Sequence, residues 1–178
     1  MKRYKLIFIV LMAVLPYTAA GKHIYSERDS LIFESYVKQF SDKADEPFSK
    51  LIPNTAKFFL GKPYVASTLE VGESENLVIN LREFDCTTLV ENSIALSGLI
   101  KSGEPTFYNY CLFLEMLRYR HKVVNGYTSR LHYLRDWIHE NEKNGVLKNI
   151  TPDLGGVQTE KTVNFMSTHP KSYKHLKD

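Results

Sequence analysis

The sequence predicts an α+β domain in which helices predominate over strands. Several stretches repeat their apolar residues with the spacing of an amphipathic helix. Residues 89–100 are apolar on nearly every side, which is typical of a buried central helix. Residues 75–84 have the β-branched content of one short strand. The chain has 178 residues, so residues 21–178 suffice for a single domain with its own core.

The first part of this domain is predicted to contain two helices. Ser26 is a suitable N-cap, because acidic residues follow it in the first turn and a lysine lies near the end of the periodic stretch. Residues 42–47 are predicted to form a loop. Residues 47–61 are predicted to be helical only in their second half, with a glycine at the end. Residues 62–72 are predicted to be irregular or extended.

Three further helices are predicted after the strand. The central helix ends at Gly103, an amphipathic helix follows over 106–122, and a helix over 134–144 has Gly145 just past its end. The remaining predictions are a turn and an extended or helix-entry segment over 123–133, short strand-like pieces over 146–170, and a basic helical tail over 171–178 with Pro170 in its first turn.

The first 20 residues are predicted to be a secretory signal peptide. Three basic residues precede an apolar run over 6–15, which is too short to span a bilayer comfortably. Thr18-Ala19-Ala20 then offers the small residues that a signal peptidase reads, so the mature chain would start near Gly21. An uncleaved membrane anchor is the open alternative. We therefore expect an exported, periplasmic protein that is not inserted in the membrane after cleavage.

The charge balance gives no support for nucleic-acid binding. The whole chain has 23 basic and 20 acidic residues. The predicted signal peptide contains three of the basic residues and no acidic residue, so the mature part carries 20 of each. The apparent basicity is thus a targeting feature, and no nucleic-acid partner is predicted.

Cys86 is the first candidate for a functional residue. It directly precedes the central helix, between Asp85 and Thr87-Thr88. The N-terminus of a helix stabilises a thiolate, and its free N–H groups can face an oxyanion. Two alternatives are open: an inert, buried cysteine and a disulfide between Cys86 and Cys111. Cys111 itself shares a helical face with leucines and is predicted to be a core residue.

A cysteine nucleophile also needs a base, which is usually a histidine distant in sequence. His121 and His139 lie in charged stretches and are predicted to be surface residues. His132 is flanked by Arg130 and Tyr133, a combination that suits the binding of a polar ligand. His169, which precedes a predicted helix, is a second candidate for a site.

Several motifs in one order resemble a known family. FDCTTLV at 84–90 is similar to the FDCSGLV signature of NlpC-type cell-wall cysteine peptidases, and AKFFLGKPYVASTLE at 56–70 is similar to the segment before it. A longer set resembles the N-acetylmuramoyl-L-alanine amidase-like branch of that superfamily, from about residue 55 to the end. Its members here are GKPYVASTLE, VINLREFDCTTLVEN, RYR, SRLHYLRDWI, GGV and VNFMSTHPKSYKHLKD.

The resemblance implies a papain-like NlpC-type fold, of which this chain would hold mostly the helical N-terminal part. It implies hydrolysis of the amide between N-acetylmuramic acid and L-alanine in peptidoglycan, with muropeptides as substrates and no cofactor or metal. Cys86 would be the nucleophile, with Tyr64 and the Cys86 N–H steadying the intermediate. The residues expected to bind substrate are Tyr64, Asp85, Arg130, His132 and Tyr133. The anionic substrate would give Arg130 its partner.

The resemblance also predicts a missing part. In the family the catalytic histidine lies downstream of the MSTHP segment, in a strand similar to SHVG that follows a strand similar to GDII. The sequence matches neither motif before Asp178. We therefore expect an N-terminal portion that is inactive alone and only marginally stable. His132 belongs to another motif and is not assigned as the base.

Two other functions are open on the same residues. One is an endopeptidase of the same superfamily that cleaves within the stem peptide. The other is a non-catalytic module that binds muropeptides through Arg130, His132 and Tyr133, with Cys86 inert. The sequence predicts no oligomeric state.

Overall fold

The computed structural model describes residues 23–157, 159–173 and 176. The predicted signal peptide lies outside these residues. The elements, in chain order, are β1 (His23–Ile24), α1 (Glu27–Phe40), α2 (Phe48–Phe58), β2 (Leu77–Val78), α3 (Cys86–Ser102), α4 (Phe107–Arg118), α5 (Leu134–Lys143) and α6 (Phe165–Thr168). Short 3-10 turns lie at Ser41–Lys43, Arg120–Lys122, Tyr127–Ser129 and Pro170–Ser172. The two strands pair in parallel, with His23 opposite Leu77.

Helix α3 is the central helix that the sequence predicts. It packs against both α2 and α4, and Ala95, Leu96 and Leu99 are fully buried. A helix with neighbours on several sides needs apolar residues around most of its circumference, which explains the weak amphipathicity of the sequence here. Gly103 ends the helix in the left-handed conformation, with φ 74°, a position that strongly favours glycine.

A chain of hydroxyl groups crosses the interface of α1, α2 and α3. The Tyr36 hydroxyl lies 2.9 Å from Thr55 Oγ1, which lies 3.0 Å from Ser97 Oγ. All three residues are fully buried. Burial raises the pKa of Tyr36 to about 12, so the phenol stays protonated and available for a hydrogen bond. These polar contacts inside an apolar core therefore fix the positions of the three helices relative to one another.

A buried ion pair joins α3, α4 and β2. Arg118 Nε lies 2.8 Å from Glu91 Oε2, and Arg118 Nη1 donates to the Val78 carbonyl oxygen at 2.7 Å. The two charged side chains are only 2% and 3% exposed. A buried charge is tolerated only when it is paired and hydrogen-bonded, and this arrangement meets both conditions.

The predicted element boundaries fail where tertiary packing overrides local signals. Helix α2 begins at Phe48 and contains Pro53, although the sequence predicts a helix only in the second half of this stretch. The side of α2 that faces the core carries Leu51 and Thr55, which are fully buried. Within the predicted strand, Leu77–Val78 pairs with β1, and Phe84 forms a single isolated bridge with Tyr64. The described part of 146–170 forms turns and α6 instead of strand-like pieces.

Across the described ranges no helix is both long enough and apolar enough to cross a membrane.

Candidate active site

Cys86 is the first residue of α3. The Asp85 carboxylate accepts a hydrogen bond from Thr88 N at 2.8 Å, and Asp85 N donates to Thr88 Oγ1 at 2.9 Å. This capping box fixes the point at which extended chain turns into helix. The cap engages Asp85 Oδ1 directly before Cys86, and binding of substrate by Asp85 stays a prediction. The Cys86 thiol is exposed at this helix end.

The two cysteines have opposite surroundings and are not joined. Cys86 is exposed and Cys111 is buried, and both are free thiols. Cys111 is 1% exposed, as the sequence predicts, and burial raises the pKa of its thiol to about 12. The alternatives of a Cys86–Cys111 disulfide and of a buried Cys86 are both wrong, and the reactivity of Cys86 stays a prediction.

This contrast gives a first testable prediction. A thiol reagent added to the native protein at neutral pH is expected to modify Cys86 alone, because only the accessible thiol can react. Denaturation is expected to raise the count to two modified cysteines. Peptide mapping by mass spectrometry identifies the labelled residue, and Cys86→Ser is the matched control that should abolish native labelling. Rapid native labelling of Cys111 would contradict the buried position.

Tyr64 is brought next to the segment that carries Cys86. Tyr64 and Phe84 form an isolated parallel bridge, in which Val65 N donates to the Phe84 carbonyl oxygen at 2.9 Å and Phe84 N donates to the Pro63 carbonyl oxygen at 3.1 Å. Tyr64 is 73% exposed. The bridge therefore presents an open phenol beside the chain two residues before Cys86.

Arg130 is bound to carboxylates of the chain itself. Its Nη2 lies 2.6 Å from Glu70 Oε1, and its Nε lies 3.0 Å from Glu75 Oε1. The Tyr119 hydroxyl donates to the same Glu75 oxygen at 2.8 Å. Burial raises the pKa of Glu75 although Arg130 opposes the shift. The observed function of Arg130 is to hold the loop over 65–76, and binding of a substrate anion stays a prediction.

His132 and Tyr133 lie at one cavity of about 320 Å³. His132 Nε2 lies 2.8 Å from the Tyr127 carbonyl oxygen, so this nitrogen carries the proton. Burial lowers the pKa of His132, which favours the neutral ring. The Tyr133 hydroxyl accepts a hydrogen bond from Met166 N at 3.1 Å. Arg120, Arg130 and Asn164 are among the other lining residues.

The predicted site residues thus fall into two groups. Tyr64, Asp85 and Cys86 share one region, while His132 and Tyr133 line the cavity with Arg130. Within the described ranges the hydrogen-bond partner of the Cys86 thiol is Thr87 Oγ1 at 4.0 Å, and no histidine contacts the sulfur. The same ranges contain no cluster of three or more metal-binding side chains.

Three of the other described histidines, His121, His139 and His169, lie on the surface. His121 and His139 are exposed, as the sequence predicts. His169 is also exposed; its ring stacks on Phe165 with centroids 4.2 Å apart, and its Nδ1 lies 2.8 Å from Thr168 Oγ1. These contacts explain the position of His169 without a ligand.

A second cavity was not predicted from the sequence. It has a volume of about 460 Å³ and is walled by residues of β1, the loop after Tyr64 and the segment before Cys86. Arg82 lines it and donates from Nε to Asp29 Oδ1 at 3.1 Å. The two residues are far apart in sequence, so their pairing leaves no local pattern. The only available signal was an arginine four residues before the candidate nucleophile.

Comparison with known proteins identifies the family. Residues 54–178 match the family model described as AmiA-like, N-acetylmuramoyl-L-alanine amidase-like. No curated protein matches the chain. Two crystal structures of an N-acetylmuramoyl-L-alanine amidase from Bacteroides uniformis are 39% and 37% identical, with TM-scores of 0.67 and 0.66 over 72% and 74% of this chain. A crystal structure of a candidate xylanase from Bacteroides fragilis is 38% identical, with a TM-score of 0.65 over 70% of this chain.

This chain spans about half the length of each of these solved proteins, 54%, 55% and 55% respectively. The family match covers most of the described chain and includes Tyr64, Cys86 and the cavity residues His132 and Tyr133. The protein therefore belongs to the AmiA-like, N-acetylmuramoyl-L-alanine amidase-like family.

Proposed function

We propose that the protein is a cysteine-dependent peptidoglycan amidase that cleaves the bond between N-acetylmuramic acid and the L-alanine of the stem peptide. The observation that carries this proposal is the exposed thiol of Cys86 at the start of α3, inside the segment that matches the amidase-like family. The solved relatives described as N-acetylmuramoyl-L-alanine amidases support the substrate class. A papain-like NlpC-type fold of the whole protein is part of the proposal.

The proposed chemistry is acyl transfer through the thiolate. Cys86 Sγ attacks the lactyl carbonyl carbon, and the carbonyl oxygen gains the negative charge. The first N–H groups of a helix have no partner within the helix, so those of Cys86 and Thr87 can donate to this oxyanion. The C–N bond then breaks, the L-alanine nitrogen takes a proton, and a thioester remains on the sugar side. Water hydrolyses the thioester and regenerates the thiol.

Roles in binding the substrate and its oxyanion are proposed for three further residues. Tyr64, beside the Cys86 segment and largely exposed, is proposed to donate to the same oxyanion. His132 and Tyr133 are proposed to contact the substrate at the edge of the smaller cavity. The proton acceptor for Cys86 is not assigned to any described residue. A cell-wall substrate also fits an exported protein, and we propose periplasmic action after removal of residues 1–20.

Product analysis tests the reaction. The full-length gene product is to be incubated with a defined muropeptide, and the products separated and weighed by mass spectrometry. We expect a free peptide that begins with L-alanine and a sugar without any amino acid. A sugar that keeps alanine would instead identify a stem-peptide endopeptidase. Release of xylose oligomers from xylan, with the muropeptide left intact, would contradict the proposal.

A further inference from the structure

Arg82 lines the cavity of about 460 Å³ and uses only one of its three nitrogens in a contact with the described chain. Its Nε is bound to Asp29 at 3.1 Å, and its side chain is 37% exposed. Its terminal N–H groups have no hydrogen-bond partner among the described residues. The other described arginines are bound to carboxylates or are exposed: Arg118, Arg120 and Arg130 belong to the first class, and Arg28 and Arg135 to the second. Arg82 is therefore a partly buried cation with donors to spare.

Asp29 holds this guanidinium in place. Asp29 is fully buried. Its Oδ2 accepts from Ser26 N at 2.8 Å, and its Oδ1 accepts from Leu81 N at 2.9 Å as well as from Arg82. Because the carboxylate is fixed at both oxygens, the guanidinium bound to it is fixed as well. A cation held in this way loses little conformational freedom when it binds an anion.

The cavity of about 460 Å³ that Arg82 lines also contains Thr68 and Glu83. Thr68 Oγ1 is closed off from bulk water and has no hydrogen-bond partner among the described residues. One oxygen of Glu83 accepts from Asn80 Nδ2 at 3.1 Å. The wall thus offers the Arg82 cation next to the Glu83 carboxylate as a hydrogen-bond acceptor. This pattern suits a ligand with a carboxylate beside an N–H donor, and it disfavours a simple polyanion.

The cavity adjoins the segment that carries the nucleophile. Its lining residues at 65–68 and at 80, 82 and 83 flank the bridge between Tyr64 and Phe84, directly before Cys86. We propose that this cavity binds the free α-carboxylate of D-glutamate in the peptidoglycan stem peptide, and that Arg82 forms the ion pair with it. Glu83 accepts a hydrogen bond from the neighbouring peptide N–H. The inference rests on the proposed amidase function, and it gives Arg82 the role that the sequence suggested for Arg130.

Equilibrium binding tests the carboxylate site without turnover. The full chain carrying Cys86→Ala is titrated with two muropeptides that differ only in whether the α-carboxyl of D-glutamate is a carboxylate or a carboxamide. We expect the carboxylate form to bind roughly 10- to 100-fold more tightly, the range of a charge-assisted hydrogen bond. Adding Arg82→Gln should make the two affinities equal. Arg28→Gln removes an exposed arginine next to Asp29 and should leave the preference intact.

Arg82→Lys serves if Arg82→Gln fails to fold, because lysine keeps a charge near Asp29 but loses the planar fork of donors. It should reduce the preference without abolishing it. A preference that is undiminished in either Arg82 variant, or that is lost in Arg120→Gln instead, would overturn the site. Equal binding or no binding of both muropeptides by the parent chain would overturn it too.

The outcome separates this site from the amidase proposal. A carboxylate preference that depends on Arg82, found together with cleavage elsewhere in the muropeptide, supports the site and contradicts the amidase. Cleavage between sugar and alanine that is indifferent to the carboxylate supports the amidase and contradicts the site.

Discussion

Replacing Arg118 with methionine is expected to lower the free energy of unfolding by about 3–5 kcal/mol, the cost of breaking a buried ion pair on one side. The substitution leaves the Glu91 carboxylate buried, 3% exposed, without its partner. It also removes the donor to the Val78 carbonyl oxygen. Because these contacts join α3, α4 and β2, the whole core should lose stability. Chemical denaturation followed by circular dichroism measures the change.

Arg120→Met is the matched control for this prediction. Arg120 also pairs with an acidic residue, Asp136, but the two side chains are 39% and 40% exposed. Exposed ion pairs contribute about 1 kcal/mol or less to stability. The control should therefore have nearly the same free energy of unfolding as the parent protein. A double variant with Glu91→Leu and Arg118→Met removes both buried charges. It should lower the free energy of unfolding by less than the sum of the two single substitutions. A loss below about 1 kcal/mol for Arg118→Met would show that the pair is solvated.

Replacing Cys86 with alanine is expected to abolish the proposed amidase turnover of the full-length protein. Without the thiolate no thioester forms, and removal of a catalytic nucleophile commonly costs several orders of magnitude in kcat. The fold should be unaffected, because the side chain is exposed and the cap of α3 is formed by Asp85 and Thr88. Product formation from a defined muropeptide, followed by mass spectrometry, measures the loss.

Cys111→Ala is the control here, because it removes the other thiol of the chain. Cys111 packs in the core, so its replacement should lower stability by roughly 1 kcal/mol and leave turnover in place. Equal activity of the Cys86→Ala protein and the parent would reject the cysteine mechanism. A loss of activity in both variants would point to damage of the fold instead.

Local signals in the sequence predicted several helix ends correctly. The Ser26 N-cap is confirmed, with its side chain accepting from Asp29 N in a capping box. Gly103 and Gly145 both adopt positive φ angles at helix ends. These features depend on neighbouring residues and on glycine's freedom at positive φ, so the sequence displays them directly. The buried helix α3 was also predicted from the sequence, because its apolar residues are distributed around the helix.

Contacts between distant residues could not be predicted in the same way. The Arg130 side chain was identified as a candidate ligand from its neighbours at 132 and 133, but its partners Glu70 and Glu75 lie some 60 and 55 residues away. The Asp29–Arg82 pair bridges 53 residues. Which residues pair at such a separation is decided by the packing of the helices and strands. In the sequence, each of these carboxylates and arginines taken alone is indistinguishable from an ordinary surface charge.

The ion pair between Arg130 and Glu70 connects a wall of one cavity with the loop that lines the other. Arg130 lines the cavity that contains His132. Its partner Glu70 belongs to the loop whose residues 65–68 and 71 line the cavity that contains Arg82. A ligand that pulled the guanidinium into the first cavity would have to release Glu70 and loosen the wall of the second. Such a ligand would couple binding at the two places, and by reciprocity each occupant would alter the affinity for the other by the same factor.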